Sequence, residues 1–219
     1  MGFKEMIEND RDGKVKSKFE GSFLEYLDII KADPDKAKLS HKRMYDTITK
    51  DGFEILRPEV NPRIRKIYGN DIIKRYKFFK DDFFGIDKVL MKIVSYFYSA
   101  SMQGEESRQV LYLAGPVGAG KSSLVEALKK AFENTEPVYV LKGCPMNEEP
   151  LHLIPKHLRR HFEDALGVHI EGDLCPACKY RLLHEYGGKF EDFPVTTTTF
   201  SIRSRKGIGV VPPDRKSVV

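Results

Sequence analysis

Phe19, Phe23, Leu24, Leu27 and Ile30 fall near the 3.6-residue spacing of one helix face, which predicts an amphipathic helix from Ser22 to Lys31. Asp33-Pro34 ends it, because proline disfavours helical backbone in the residue before it. A second short helix is predicted from Ser40, a good capping residue, to Lys50, with Asp51-Gly52 as its stop. Pro58 and Pro62 mark an irregular joint, and the basic segment from Arg63 to Lys80 reads as a solvated helix face. Residues 1–75 are thus expected to form a helical N-terminal segment.

From Asp82 the pattern changes. Val89, Leu90, Ile93, Val94 and Phe97 predict a helix ending near Ser101. Gln109-Val110-Leu111-Tyr112-Leu113-Ala114 is a short apolar run, as in a strand buried on both faces of a parallel sheet. A helix over Ser122–Phe132 and a strand over Val138–Leu141 complete a βαβ unit. Thr196–Thr199 reads as a threonine-rich edge strand.

Composition narrows the classes. The chain of 219 residues is 41% apolar, enough for a sizeable core and too much for wholesale disorder. Charged residues make up 32%, and no stretch approaches the ~20 consecutive apolar residues of a membrane span. The start, Met1-Gly2-Phe3-Lys4-Glu5-Met6, has no apolar signal region. Lys and Arg number 37 against 32 acidic residues, and the two signs are interspersed, so no nucleic-acid partner is expected. Three cysteines are too few for a disulfide framework and fit a reducing cytoplasm.

Between the predicted strand and helix lies Gly115-Pro116-Val117-Gly118-Ala119-Gly120-Lys121-Ser122, a glycine, four residues, then Gly-Lys-Ser. Glycines at 115, 118 and 120 permit backbone angles and close approach that a β-carbon would block. The converging amide N–H groups and the helix N-terminus suit phosphate oxygens. Lys121 is expected to reach the outer phosphates and Ser122 to offer its hydroxyl to Mg²⁺. Gly115, Pro116, Val117, Gly118, Ala119, Gly120, Lys121, Ser122 and Ser123 are the candidate ATP-binding set. The expected fold is a three-layer α/β/α P-loop domain over residues 76–219, with a mostly parallel sheet and an insertion near 144–195.

Several segments outside that loop carry a family resemblance. Phe78-Phe79-Lys80-Asp81-Asp82-Phe83-Phe84-Gly85-Ile86-Asp87, Leu113 through Ser123, Gly172-Asp173-Leu174-Cys175-Pro176-Ala177-Cys178-Lys179-Tyr180-Arg181, Ser201 through Gly209 and Leu39-Ser40-His41-Lys42-Arg43 are similar to the bacterial PrkA family. The resemblance covers nearly the whole chain up to Pro213. It implies an AAA+ ATPase domain of a serine protein kinase, using ATP and Mg²⁺ on a protein substrate, with ring-like homo-oligomers among AAA+ relatives. It also implies that Gly85 and Ile86 lie near the adenine.

AAA+ hydrolysis needs a second motif, an apolar strand ending in Asp-Glu. Val138–Leu141 runs into Lys142-Gly143, Leu166–Glu171 is interrupted by Gly167 and His169, and Val210-Val211 runs into Pro212-Pro213. In the family these parts lie further along, so a truncated protein or gene fragment is expected, and no catalytic residue is assigned. A eukaryotic-type kinase loop, His-Arg-Asp motif and Asp-Phe-Gly motif are absent from the sequence. Two rival functions remain: a non-catalytic nucleotide-binding fragment, and a stand-alone small-molecule P-loop kinase using Arg159, Arg160, Arg203 and Arg205.

Cys175-Pro176-Ala177-Cys178 has the spacing of half a zinc site; a redox pair and a tight turn with two ordinary thiols are the alternatives. Further donors could come from Cys144, His152, His157, His161, His169 or His184. The stretch His152–His169 is read as a basic helix that places His157 and His161 on one face.

Overall fold

The computed structural model describes residues 18–57, 59, 61–116, 118–202 and 207–209. Expectations for Pro58, Val117, Arg203, Arg205 and Val210-Val211 lie outside the described residues. In chain order the elements are β1 (Glu20–Ser22), α1 (Phe23–Ala32), α2 (Ser40–Thr49), β2 (Phe53–Leu56), α3 (Pro62–Tyr68), β3 (Ile73–Tyr76) and α4 (Asp87–Ser101). There follow α5 (Lys121–Glu133), β4 (Val138–Leu141), α6 (Arg159–Leu166), α7 (Pro176–His184) and β5 (Pro194–Thr198). They fall into two compact units: residues 18–38 with 136–199, and residues 39–135 with 200–209.

The first unit is built on a three-stranded antiparallel sheet in the order β1-β5-β4. α1 starts where predicted, because Ser22 and Glu25 form a reciprocal capping box that satisfies two otherwise orphan N–H groups. Its buried stripe is Phe23, Tyr26 and Ile30, whereas Leu24 is exposed. Each buried side chain of that stripe stabilises the unit by about 1.5–3 kcal/mol. They pack with Leu141, Ile154, Cys178, Phe193 and Val195. Thr196 sits in the central strand of the sheet, not at an edge, and its hydroxyl donates to the Phe19 carbonyl at 2.9 Å. The strand is threonine-rich because these hydroxyls find partners in the neighbouring backbone.

The second unit gathers α2, α4 and α5 around Met44, Ile48, Leu90, Ile93, Val94, Leu124, Leu128 and Phe132, beside an antiparallel pair, β2-β3. The segment from Arg63 to Lys80 is therefore not one helix: α3 ends at Gly69, whose φ of +70° a glycine adopts freely, and β3 follows. The described residues from 18 to 75 combine helices with short strands, where helices alone were expected.

Both sheets among the described residues are antiparallel, and the expected mostly parallel sheet is not formed among them. Gln109–Ala114 joins no ladder. Leu111 and Leu113 pack on the second core, while Val110 and Tyr112 on the opposite face are 92% and 76% exposed. An apolar run reports that both faces suit burial; pairing also needs strands on either side. Among the described residues no helix is long and apolar enough to cross a membrane.

Candidate phosphate-binding site

The glycine-rich loop leads directly into α5. Gly118 and Gly120 hold φ of +81° and +76°, a left-handed backbone that costs other L-residues about 1–2 kcal/mol. Gly120 is the N-cap of α5, and no side chain caps the helix, so its first-turn N–H groups face outward at the positive end of the dipole. Ala119 N–H donates to the Pro116 carbonyl at 3.3 Å and tightens the loop. Lys121 folds over it, with Nζ donating to the carbonyls of Gly115 and Pro116, both at 2.7 Å. Ser122 and Ser123 are exposed in the first turn. One stretch of chain thus presents an ammonium, two hydroxyls and uncapped first-turn N–H donors.

The Phe83–Asp87 segment approaches the loop within the same unit: a β-carbon on Gly120 would stand 3.9 Å from Phe83 Cε1. Gly85 takes a φ of +76°, which turns the chain into α4, and Ile86 is the N-cap, half-buried against the core. Asp87 is anchored rather than available. It is 2% exposed, accepts from Tyr68 Oη, and meets Arg75 Nε at 3.2 Å. Burial, reinforced by the Asp87 carboxylate, raises the Tyr68 hydroxyl above its ordinary range.

A second constellation lies in the first unit. Cys175 is the N-cap of α7, and the Cys178 N–H donates to its sulfur at 3.4 Å. The structure adds Cys144, whose Sγ is 3.8 Å from Cys175 Sγ, and Glu148. One donor atom from each of Cys144, Glu148, Cys175 and Cys178 lies within 4.8 Å of all the others. Burial pushes the thiols of Cys175 and Cys178 up from their ordinary value. Glu148 went unnoticed in the sequence because a carboxylate four residues after a cysteine carries no signature of its own.

The histidines divide. His152 Nδ1 is 3.2 Å from Glu148 Oε1, at the edge of this cluster. His169 pairs with Glu163 at 2.8 Å, and His184 stacks on Tyr180. His157 precedes α6, so it and His161 do not share one helix face as expected. Arg159 donates to the Ile154 carbonyl at 3.2 Å and lies 3.8 Å from Asp173.

A helix N-terminus fed by a Gly-Lys-Ser loop is the local form of the P-loop class of nucleotide-binding domains. The family model described as PrkA AAA domain matches residues 21–217, and the chain belongs to that family, whose α/β fold is that of P-loop NTPases. The chain is 41% identical over 218 residues to the "ATP-dependent protease PrkA" of Bacillus subtilis (strain 168), covering 96% of this chain and 32% of that protein. It is 35% identical over 159 residues to the "Serine/threonine kinase YeaG" of Escherichia coli (strain K12), covering 69% of this chain and 24% of that protein. A shorter likeness, 33% over 110 residues, joins it to the "Lon protease" of Methanosphaera stadtmanae, covering 50% of this chain and 12% of that protein. The chain thus spans about a third or less of the length of these curated relatives. No solved structure matches it.

Proposed function

We propose that this chain binds Mg·ATP through residues 115–123 and acts as the nucleotide-binding part of a PrkA-type AAA+ protein. The carrying observation is the left-handed glycine pair that opens α5 without a side-chain cap, leaving donors suited to phosphate. Lys121 exchanges its two carbonyl contacts for the outer phosphates, and Ser122 ligates Mg²⁺. Gly85 and Ile86 receive the adenine, a reading supported by the approach of Phe83 to Gly120.

The Bacillus and Escherichia relatives are named for different reactions, ATP-dependent proteolysis and phosphotransfer to serine or threonine. The resemblance supports phosphotransfer to serine or threonine of a protein substrate and assembly as a homo-oligomer, and the three free cysteines suit a reducing cytoplasm. Hydrolysis needs an acid that polarises water, and among the described residues the Lys121 ammonium is held by two carbonyls. A second reading is that this chain loads ATP without turning it over.

Calorimetry with Mg·ATP tests the first reading: saturable binding of one nucleotide, weakened at least about tenfold by Lys121→Ala through loss of a charge-assisted contact. Absence of binding to the unmutated, folded chain overturns it. Phosphate release measured on the same samples separates the two readings, since sustained release from this chain removes the second.

A further inference from the structure

We propose that Cys144, Cys175, Cys178 and Glu148 form a structural zinc site that joins the turn after β4 to the start of α7. This site is separate from the phosphate loop and does not depend on the nucleotide reading.

The donor atoms of all four residues lie within 4.8 Å of one another, a spacing that a single ion could bridge. With Zn–S bonds of about 2.3 Å, two thiolates on one ion stand about 3.8 Å apart, and Cys144 Sγ and Cys175 Sγ are separated by 3.8 Å. A disulfide holds its sulfurs at about 2.05 Å, and all three cysteines are free. Glu148 Oε2 is 4.0 Å from Cys144 Sγ and faces the sulfurs. The Cys175 N–H donates to both carboxylate oxygens, to Oε1 at 2.8 Å and to Oε2 at 2.9 Å, and Oε1 also lies against His152 Nδ1 at 3.2 Å. The backbone of Cys175 and the His152 ring thus fix the carboxylate beside the sulfurs, each oxygen keeps lone-pair capacity for a metal, and His152 is a positioning residue.

The Cys178 N–H points at Cys175 Sγ at the start of α7, so the backbone holds that sulfur in place. Gly172, with φ of +107°, lets its loop pass over His152; a β-carbon there would come within 2.6 Å of Nε2. Three sulfurs with one carboxylate select a borderline-soft ion such as Zn²⁺ over the hard cations Mg²⁺ and Ca²⁺. Four protein donors, with Cys144 and Cys178 buried, leave no open coordination position, so the ion would be structural and not catalytic. It would tie together positions 31 residues apart in sequence.

The test uses the reduced chain, expressed with added Zn²⁺. One zinc per chain is expected by plasma mass spectrometry, and the chelator-stripped chain should take one Co²⁺ with thiolate charge-transfer bands and intense tetrahedral d–d bands. Cys178→Ser should lose stoichiometric metal. Glu148→Gln should keep the charge-transfer bands but weaken affinity by about 10–100-fold, the scale of effects on weakly held or positioning ligands. Because the cobalt spectrum of the unmutated chain carries the claim, a variant that fails to fold does not obscure it. A cooperatively melting chain that takes up neither Zn²⁺ nor Co²⁺ in stoichiometric amount overturns the proposal. So does a Cys144–Cys175 disulfide as the stable form of protein purified without reductant in the presence of zinc.

Discussion

The sheet-bearing unit and the loop-bearing unit satisfy their backbones in different ways. In the first, β5 is flanked by β1 and β4, and even its side chains reach the neighbouring backbone, as Thr196 does to Phe19. In the second, helices supply most of the core, and the segment that feeds the phosphate loop has one packed face and one exposed face. Backbone closed by long-range pairing resists local opening, whereas a loop held by a single helix and two carbonyl contacts can rearrange around a ligand. The contrast predicts rigidity in the sheet and adaptability at the proposed nucleotide site.

The largest effect should come from the closed unit. Phe193 is fully buried, packs on Tyr186 and lies under the Arg181 guanidinium. Phe193→Ala should cost about 3–5 kcal/mol in denaturant unfolding; a loss below 1 kcal/mol would show that this core tolerates collapse. In the loop unit, Asp87→Ala leaves Tyr68 and the Arg75 guanidinium without their shared acceptor. Arg75 keeps partial solvent access, so the expected loss is about 2 kcal/mol, and Asp87→Asn should recover part of it. The smallest effect is electrostatic. The ammonium groups of Lys18 and Lys142 hold the exposed Glu20 carboxyl down to about 2. Its folded value is depressed, so its contribution is present above the ordinary carboxylate value and is lost as pH falls toward 2. Carbon-detected titration should place its midpoint near 2 at low salt and move it upward in high salt, with little change in melting temperature.

Local chemistry was readable in the chain, and long-range pairing was not. Ser22 with Glu25 announces α1, and the Gly-Lys-Ser tripeptide announces the start of α5, because each is a contact between near neighbours. Val138–Leu141 is a strand as read, yet its partner Pro194–Thr198 lies far along the chain, and the antiparallel sense depends on that partner. The same limit explains Gln109–Ala114, where composition speaks for burial but cannot supply flanking strands. At the sulfur cluster Cys175 and Cys178 were visible by their spacing. Cys144 came in only as a spare thiol, and Glu148 joins them through the turn that follows β4. Leu24 shows the opposite error, an apolar residue at helical spacing that ends up on the solvent face.

The proposed function requires the loop at residues 115–123 to receive a nucleotide's phosphates. Hydrogen exchange resolved to single peptides, with and without Mg·ATP, addresses this directly. Protection is predicted for the amides of the loop and the first turn of α5, with a weaker change over residues 83–87, and both should vanish in Lys121→Ala. Identical exchange in those peptides at saturating Mg·ATP, in a folded and unmutated chain, would contradict it.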